Sequence, residues 1–200
     1  MRDILIVFVK NLEFGKVKSR LAIEIGPRKA LSVYKKLMIK TRDTISNIGV
    51  EKLVTYSDSI ELNDIWDGII FSKDIQRGQD LGERMYNAIN RASRSKYRKI
   101  CLIGSDNMEI TEKIIYSAYK YLDDYDVVFG PSKDGGYYLI AMKTPIKEVF
   151  VDISWSTELV LKQSIAIMEL MKLNYALLPE LSDIDVLENI NDNDKKYLLS

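Results

Sequence analysis

Histidine is missing from all 200 residues of the chain. Its absence excludes a Ser-His-Asp or Cys-His catalytic group and any zinc site ligated by imidazole. A metal bound here would be held by oxygen, which points to Mg²⁺ or Mn²⁺. A general base would be a carboxylate, a lysine or a tyrosine. Cysteine is nearly missing too. Cys101 stands alone, so no intrachain disulfide can form, and the chain is expected in a reducing compartment, the cytoplasm. Net charge is absent, with 29 Lys and Arg against 29 Asp and Glu. Without a basic surplus the chain is not expected to bind nucleic acid. Long apolar runs are lacking as well. The N-terminal run, residues 4–9, is shorter than the roughly 7–15 residues of a signal-peptide core and the roughly 20 of a membrane span.

What is present suits an ordinary soluble domain, 46% hydrophobic and 29% charged. The length fits one domain over 1–190, followed by a polar tail, 191–200, expected to be mobile. Residues 4–9 are apolar and β-branched, the mark of a strand buried on both faces. A polar loop over 10–26 follows. Pro27 then opens a helix whose Ala30, Val33, Tyr34, Leu37 and Met38 recur at helical spacing, with Gly49 ending it. Further strands are expected at 52–56, 69–71, 99–104, 126–130, 136–142 and 174–178. Helices are expected at 81–91, after a Thr111 cap, and at 157–172. This alternation predicts an α/β fold with a mostly parallel sheet covered on both faces.

Ligands of open α/β sheets gather at the carboxyl ends of the strands, so the segment after each strand matters most. After the first strand come Lys10, Gly15, Lys16, Lys18 and Arg20. The last three alternate, and in an extended loop they would project together to grip a diphosphate, Arg20 bidentately. Gly15 would let the backbone approach the anion. A solvated basic loop fits the same spacing, and the GxxxxGK[ST] phosphate loop is absent. Ser105, Asp106 and Asn107 follow a buried strand; Asp106 is placed either to ligate a metal or to start a turn. Asp134, Gly135 and Gly136 join two strands, with a hairpin turn and a catalytic carboxylate compatible at Asp134. Trp155 would stack on a ligand ring or pack in the core, and Ser156 would cap a helix. Asp183 and Asp185 would share a face if extended, or cap a short final helix. The QRGQDLGERM stretch leads into a helix whose start would take an anion or be capped by Asp80.

Together, FVKNLEFGKVKSRLA, QRGQDLGERM, LIGSDN, FGPSKDGGYYLIAM, VFVDISWST and LSDIDVLENI resemble one family, in its order and across nearly the whole chain. It is a group of small bacterial GT-A-type proteins described as glycosyltransferases, some linked to arsenosugar biosynthesis. They belong to the nucleotide-diphospho-sugar transferase superfamily, which also holds the molybdenum-cofactor and phospholactate guanylyltransferases. Two family prolines are Leu12 and Met108 here, and the first acidic position of the DxD motif is Gly104.

The resemblance implies a single-domain, GT-A-like three-layer sandwich. It implies that Lys16, Lys18 and Arg20, in a loop shared with Lys10 and Gly15, hold the nucleotide phosphates. Gln76, with the backbone around Gly78 and Gly82, would border the nucleobase. Asp106 and Asp185 would ligate Mg²⁺ or Mn²⁺. Asp134 would be the base or an acceptor contact, and Asn107, Gly135, Gly136, Tyr137, Trp155 and Ser156 would face sugar or acceptor. The implied activity is metal-dependent transfer of a sugar from a nucleotide-diphospho-sugar to a small-molecule acceptor. A guanylyltransferase-like nucleotidyl transfer releasing pyrophosphate is the alternative, and a non-catalytic nucleotide-binding module the third.

Overall fold

Alternate side chains of one strand supply two different cores. In the computed structural model, which describes residues 2–200, β1 (Arg2–Val9) is fully apolar from Ile4 onward. Leu5, Val7 and Val9 face one side and pack with Tyr34 and Met38 of α2 (Pro27–Ile45) and Ile115 of α4 (Glu112–Tyr121). Ile4, Ile6 and Phe8 face the other, against Met85 and Ile89 of α3 (Leu81–Arg94) and Met168 of α5 (Val160–Leu170). A strand sends successive side chains to opposite faces, so a continuous apolar run requires cover on both. The outcome is the expected three-layer sandwich.

The sheet has seven strands in the order β3 (Ser72–Ile75), β2 (Glu51–Tyr56), β1, β4 (Tyr97–Ile103), β6 (Tyr137–Met142), β5 (Val127–Pro131), β7 (Tyr175–Leu177). All neighbours are parallel except β6, which is antiparallel to both β4 and β5. Six strands therefore end at one edge, and β6 begins there. The order reverses beside β1, with β2 on one side and β4 on the other. That is the switch point at which such sheets open a crevice. Among the described residues no helix is long and apolar enough to cross a membrane.

Local expectations were corrected at several places. The run 69–71 is not a strand: Ile69 and Ile70 are exposed, and only Phe71 turns inward, edge-on to Trp66 at 5.1 Å. The third strand lies just beyond, at the polar edge β3. The loop 10–26 contains a short helix, α1 (Ser19–Ile25), and α2 ends at Ile45, before Gly49. α5 begins at Val160, and Ser156, at φ 64°, lies outside it and does not cap it. At the start of α3, Asp80 is the cap, accepting from Glu83 N at 2.8 Å.

The tail also differs. Residues 192–199 form α6 (Asp192–Leu199), capped by Asn191, which accepts from Asp194 N at 2.9 Å. Leu198 is buried against Leu21, Val33 and Leu37. Its apolar residues fall together at the end, Tyr197, Leu198 and Leu199, so no helical periodicity can be read, yet Leu198, with Leu199 packed beside it, is enough to dock two turns. Leu198→Ala should therefore cost about 2–4 kcal/mol in urea unfolding; unfolding at the wild-type midpoint would contradict this docking.

Candidate active site

At the carboxyl edge, the loops after β1, β4 and β7 meet around one buried cation. Lys18 is the residue just before α1, held at φ 49°, ψ 48°. Its side chain is 3% exposed, and its Nζ lies 2.8 Å from Asp106 Oδ2 and 2.9 Å from Asp185 Oδ1. Arg20 Nη2 donates to the other oxygen of Asp185 at 2.5 Å. Burial works to lower the Lys18 pKa, but the two carboxylates outweigh it and the net shift is upward. For Asp185 burial is again the largest influence, pushing upward, and Lys18 with Arg20 reverses it to a net lowering.

The cationic loop is thus not extended. It turns at 13–16, where Lys16 N donates to Glu13 O at 3.1 Å, and then winds into α1. The turn and the helix therefore separate the three cations that an extended loop would have aligned. Lys16 points outward onto Glu13 at 2.5 Å, Lys18 points inward, and Arg20 rides the first turn of the helix. A small pocket of about 100 Å³ is lined by Lys10, Lys18, Arg20, Asp106 and Asp185. It adjoins a larger cleft of about 290 Å³, with which it shares Lys10, Tyr34 and Asp106.

Asp106 and Asp185 carry the hard oxygens that Mg²⁺ and Mn²⁺ prefer. Both are already committed to Lys18, however. Among the described residues, no three acidic, cysteine or histidine side chains gather as a metal site. A cation bridging the two inner oxygens would lie where the ammonium lies, so the side chains in this arrangement do not fit a metal between them.

Tyr34 braces the cluster from below. Its hydroxyl accepts from Lys10 N at 2.7 Å and pairs with Ser105 Oγ at 3.1 Å, tying the end of β1 to the end of β4. Its ring centroid lies 6.0 Å from Lys18 Nζ. Burial pushes the phenol far up, so it stays protonated. On the far side, buried Asn11 donates to Ser59 O at 2.8 Å and accepts from Asp58 N at 3.1 Å, fastening the first loop to the loop after β2.

The cleft contains a second carboxylate. Asp183 accepts from Asn107 Nδ2 at 3.1 Å and from Ser132 Oγ at 2.9 Å. Asp183 and Asp185 do not share a face and do not cap α6: one is held by Asn107 and Ser132, the other by Lys18 and Arg20. Burial pushes Asp183 up to about 6, with nearby Asp106 adding to the rise and Asn107, Ser132 and Lys18 opposing it.

Of the other expected residues, Gln76, Asn107 and Tyr137 line the cleft. The Gln76 amide donates to Val9 O at 3.2 Å and Thr55 O at 3.0 Å. Gly15 and Lys16 are exposed away from it. Gly78 O accepts from Arg84 Nε at 3.2 Å and does not reach the cleft wall. A Cβ on Gly82 would come within 2.5 Å of Phe150 O and the Trp155 ring, so this glycine makes room for the indole rather than for a base. Trp155 packs edge-on to Tyr137 at 6.3 Å and borders a different, shallow pocket; Ser156 is exposed beside it. Asp134 is exposed at the tip of the β5–β6 hairpin, where its Oδ1 accepts from Gly136 N at 3.0 Å. Gly135, at φ 87°, touches the Glu158 backbone, where a Cβ would come within 2.2 Å of the carbonyl oxygen. The hairpin is a turn outside the cleft.

Tyr34 and Asn11 escaped sequence reading as site residues. Tyr34 sits in the apolar stripe of α2, which hides the reach of its hydroxyl. Asn11 lies two residues past the end of β1, so its place near a strand end was the available signal.

This architecture is the nucleotide-diphospho-sugar transferase fold, seen in a protein of Desulfovibrio desulfuricans G20 provisionally named a nucleotide-diphospho-sugar transferase. That protein is 27% identical, with 97% of this chain and 90% of that one covered and a TM-score of 0.84. The chain belongs to the DUF2064 family, described as an uncharacterized protein conserved in bacteria, which matches residues 47–157. It is also similar in fold to the inositol-1-phosphate CTP transferase of T. maritima, at 16% identity and TM-score 0.56, covering 98% of this chain and 95% of that one. The 4-diphosphocytidyl-2C-methyl-D-erythritol synthase of Anaerococcus prevotii DSM 20548 is similar at 11% identity and TM-score 0.58, covering 98% and 94%. No curated protein matches the chain.

Because the folded-state pKa of Asp183 lies above that of an unfolded aspartate, about 3.9, the folded state holds its proton more tightly. This stabilisation is complete below about pH 4 and lost as pH rises through about 6. Asp183→Asn should therefore gain stability relative to wild type between pH 4 and 6, by on the order of 2 kcal/mol. Parallel melting curves over that range would show Asp183 to be unperturbed.

Proposed function

We propose that the chain is a glycosyltransferase that takes a sugar from a nucleotide-diphospho-sugar and passes it to a small-molecule acceptor. The observation that carries this reading is the meeting of Lys18 and Arg20 with Asp106 and Asp185 beside a cleft at the sheet's switch point. The name of the Desulfovibrio protein adds support.

When the bond between sugar and diphosphate breaks, negative charge develops on the departing diphosphate. Lys18 and Arg20, with Lys10 at the shared wall, are placed to stabilise that charge in a partly desolvated pocket. Gln76 would border the base, its amide orientation fixed by Val9 O and Thr55 O. Asn107 and Tyr137 would face the sugar. Asp183, inside the cleft, is better placed than the exposed Asp134 to accept a proton from an acceptor hydroxyl. The expected Mg²⁺ or Mn²⁺ is assigned no step, because Lys18 already holds both candidate ligands.

A second reading is nucleotidyl transfer on the same scaffold, favoured by the fold likeness to the CTP transferase and the diphosphocytidyl synthase. Products separate the two: glycosyl transfer releases a nucleoside diphosphate, nucleotidyl transfer releases pyrophosphate. Screening nucleotides and nucleotide-sugars by thermal shift should find at least one that raises the melting temperature, since a ligand binding only the folded state stabilises it. A flat response over all bases would sink both readings. With the donor in hand, Asp106→Asn should lower turnover at least ~100-fold through loss of an anchor for Lys18, while the far-ultraviolet circular dichroism stays that of the wild type. Wild-type turnover would remove Asp106 from the machinery.

A further inference from the structure

A further cavity lies between α3 and the two edge strands β2 and β3. The strand register places Ile4 beside Glu51, Ile6 beside Leu53 and Phe8 beside Thr55, and then Leu53 beside Ser72 and Thr55 beside Asp74. Paired residues of neighbouring strands project to the same side of the sheet. Leu53, Thr55, Ser72 and Asp74 therefore share the face on which α3 lies. That helix packs Met85 and Ile89 with Ile4, Ile6 and Phe8 of β1. Its Ala88 and Ala92, four positions apart, line the space beside Leu53 and Thr55. Alanine side chains are too short to fill that space, and about 200 Å³ stays open.

Two polar links strap the cavity. Arg91 of α3 pairs with Asp74 of β3, and Arg77 Nη2 lies 3.1 Å from the same carboxylate. The Tyr97 hydroxyl, at the start of β4, donates to Glu51 at the start of β2, and Glu51 also pairs with Arg2. The two links differ in charge. Glu51 is matched by one cation, whereas Asp74 faces two, so the Asp74 link carries a surplus positive charge. Arg91 gives Asp74 only its Nη1, and among the described residues its Nε and Nη2 make no hydrogen bond. The floor is apolar in character. Ile4 and Leu53 supply it, and Thr55 spends its hydroxyl on Val7 O at 3.2 Å.

We propose that this cavity is a binding site for a single-ring aromatic carboxylate, separate from the donor site. An apolar cavity of roughly 150 Å³ admits benzene, so one ring with one substituent matches the space. The ring lies against Ile4, Leu53 and the two alanines. Its carboxylate takes the free Nε and Nη2 edge of Arg91, in the planar fork that a guanidinium offers a carboxylate. An uncharged ring would leave the surplus charge unmatched, and a diphosphate would set several negative charges beside Asp74. The cavity meets the active cleft at Gln76 alone. Its occupant therefore sits behind the cleft wall, and the site stands whether or not the chain transfers sugar.

The test follows para-fluorobenzoate by fluorine NMR line broadening at neutral pH, in a millimolar titration without nucleotide. The wild type should bind it, and should bind uncharged para-fluorobenzamide at least ~10-fold more weakly, as expected for loss of a charged hydrogen-bonding partner. Arg91→Gln should weaken para-fluorobenzoate by a similar factor, and Ala92→Leu, which fills the cavity, should abolish binding. Arg20→Gln should leave the affinity unchanged, because the small pocket beside Lys18 is a different site. Absence of broadening overturns the proposal, as does equal affinity for acid and amide, equal affinity in Arg91→Gln, or loss of binding in Arg20→Gln. Should Arg91→Gln or Ala92→Leu fail to fold, wild-type protein answers through nuclear Overhauser effects from the ring protons to the Ala88 and Ala92 methyl groups. A bound ring that shows none overturns the site.

Discussion

An ammonium group removed from water is tolerable only while its counter-charges stay in place, and Lys18 draws those from positions 106 and 185. One ion cluster therefore links three loops that are far apart along the chain. The sheet brings them near, because β1, β4 and β7 all end at the same edge; the cluster then sets their final spacing. Removing either carboxylate would leave part of a buried charge uncompensated, and removing the lysine would set two carboxylates against each other. Structure and candidate chemistry here depend on the same contacts.

The layering was readable because it follows from local pattern. A β-branched run without polar breaks has to be covered twice, and helical spacing in 30–38 supplies one of the covers. What escaped reading depended on long-range partners. Lys18 and Lys16 have similar neighbours in sequence, yet one is buried and the other exposed. The difference arises from the turn at 13–16 and from carboxylates contributed far downstream. Phe71 and Leu198 show the same limit at the level of packing, since which apolar side chain of each short run is buried depends on a distant surface.

The expected cationic and acidic segments do converge on one cleft, whereas the hairpin around Asp134 and the Trp155 loop lie outside it. Gly82 illustrates why motif residues and wall residues need not coincide. It lies in a stretch associated with the nucleobase, but its missing side chain is filled by the Trp155 indole. Its contribution to the cleft passes through the position of α3, whose Leu81 and Met85 do reach the wall.

The Asn11 side chain has a consequence for how the cleft can breathe. Its amide bonds to the backbone on both sides of residue 58, so the loop after β1 and the loop after β2 are spliced into a single flap. Neither can swing aside without dragging the other. The opposite side is tied in the same way, where the Asn107 amide donates to Ser182 O at 3.1 Å and joins the loop after β4 to the segment after β7.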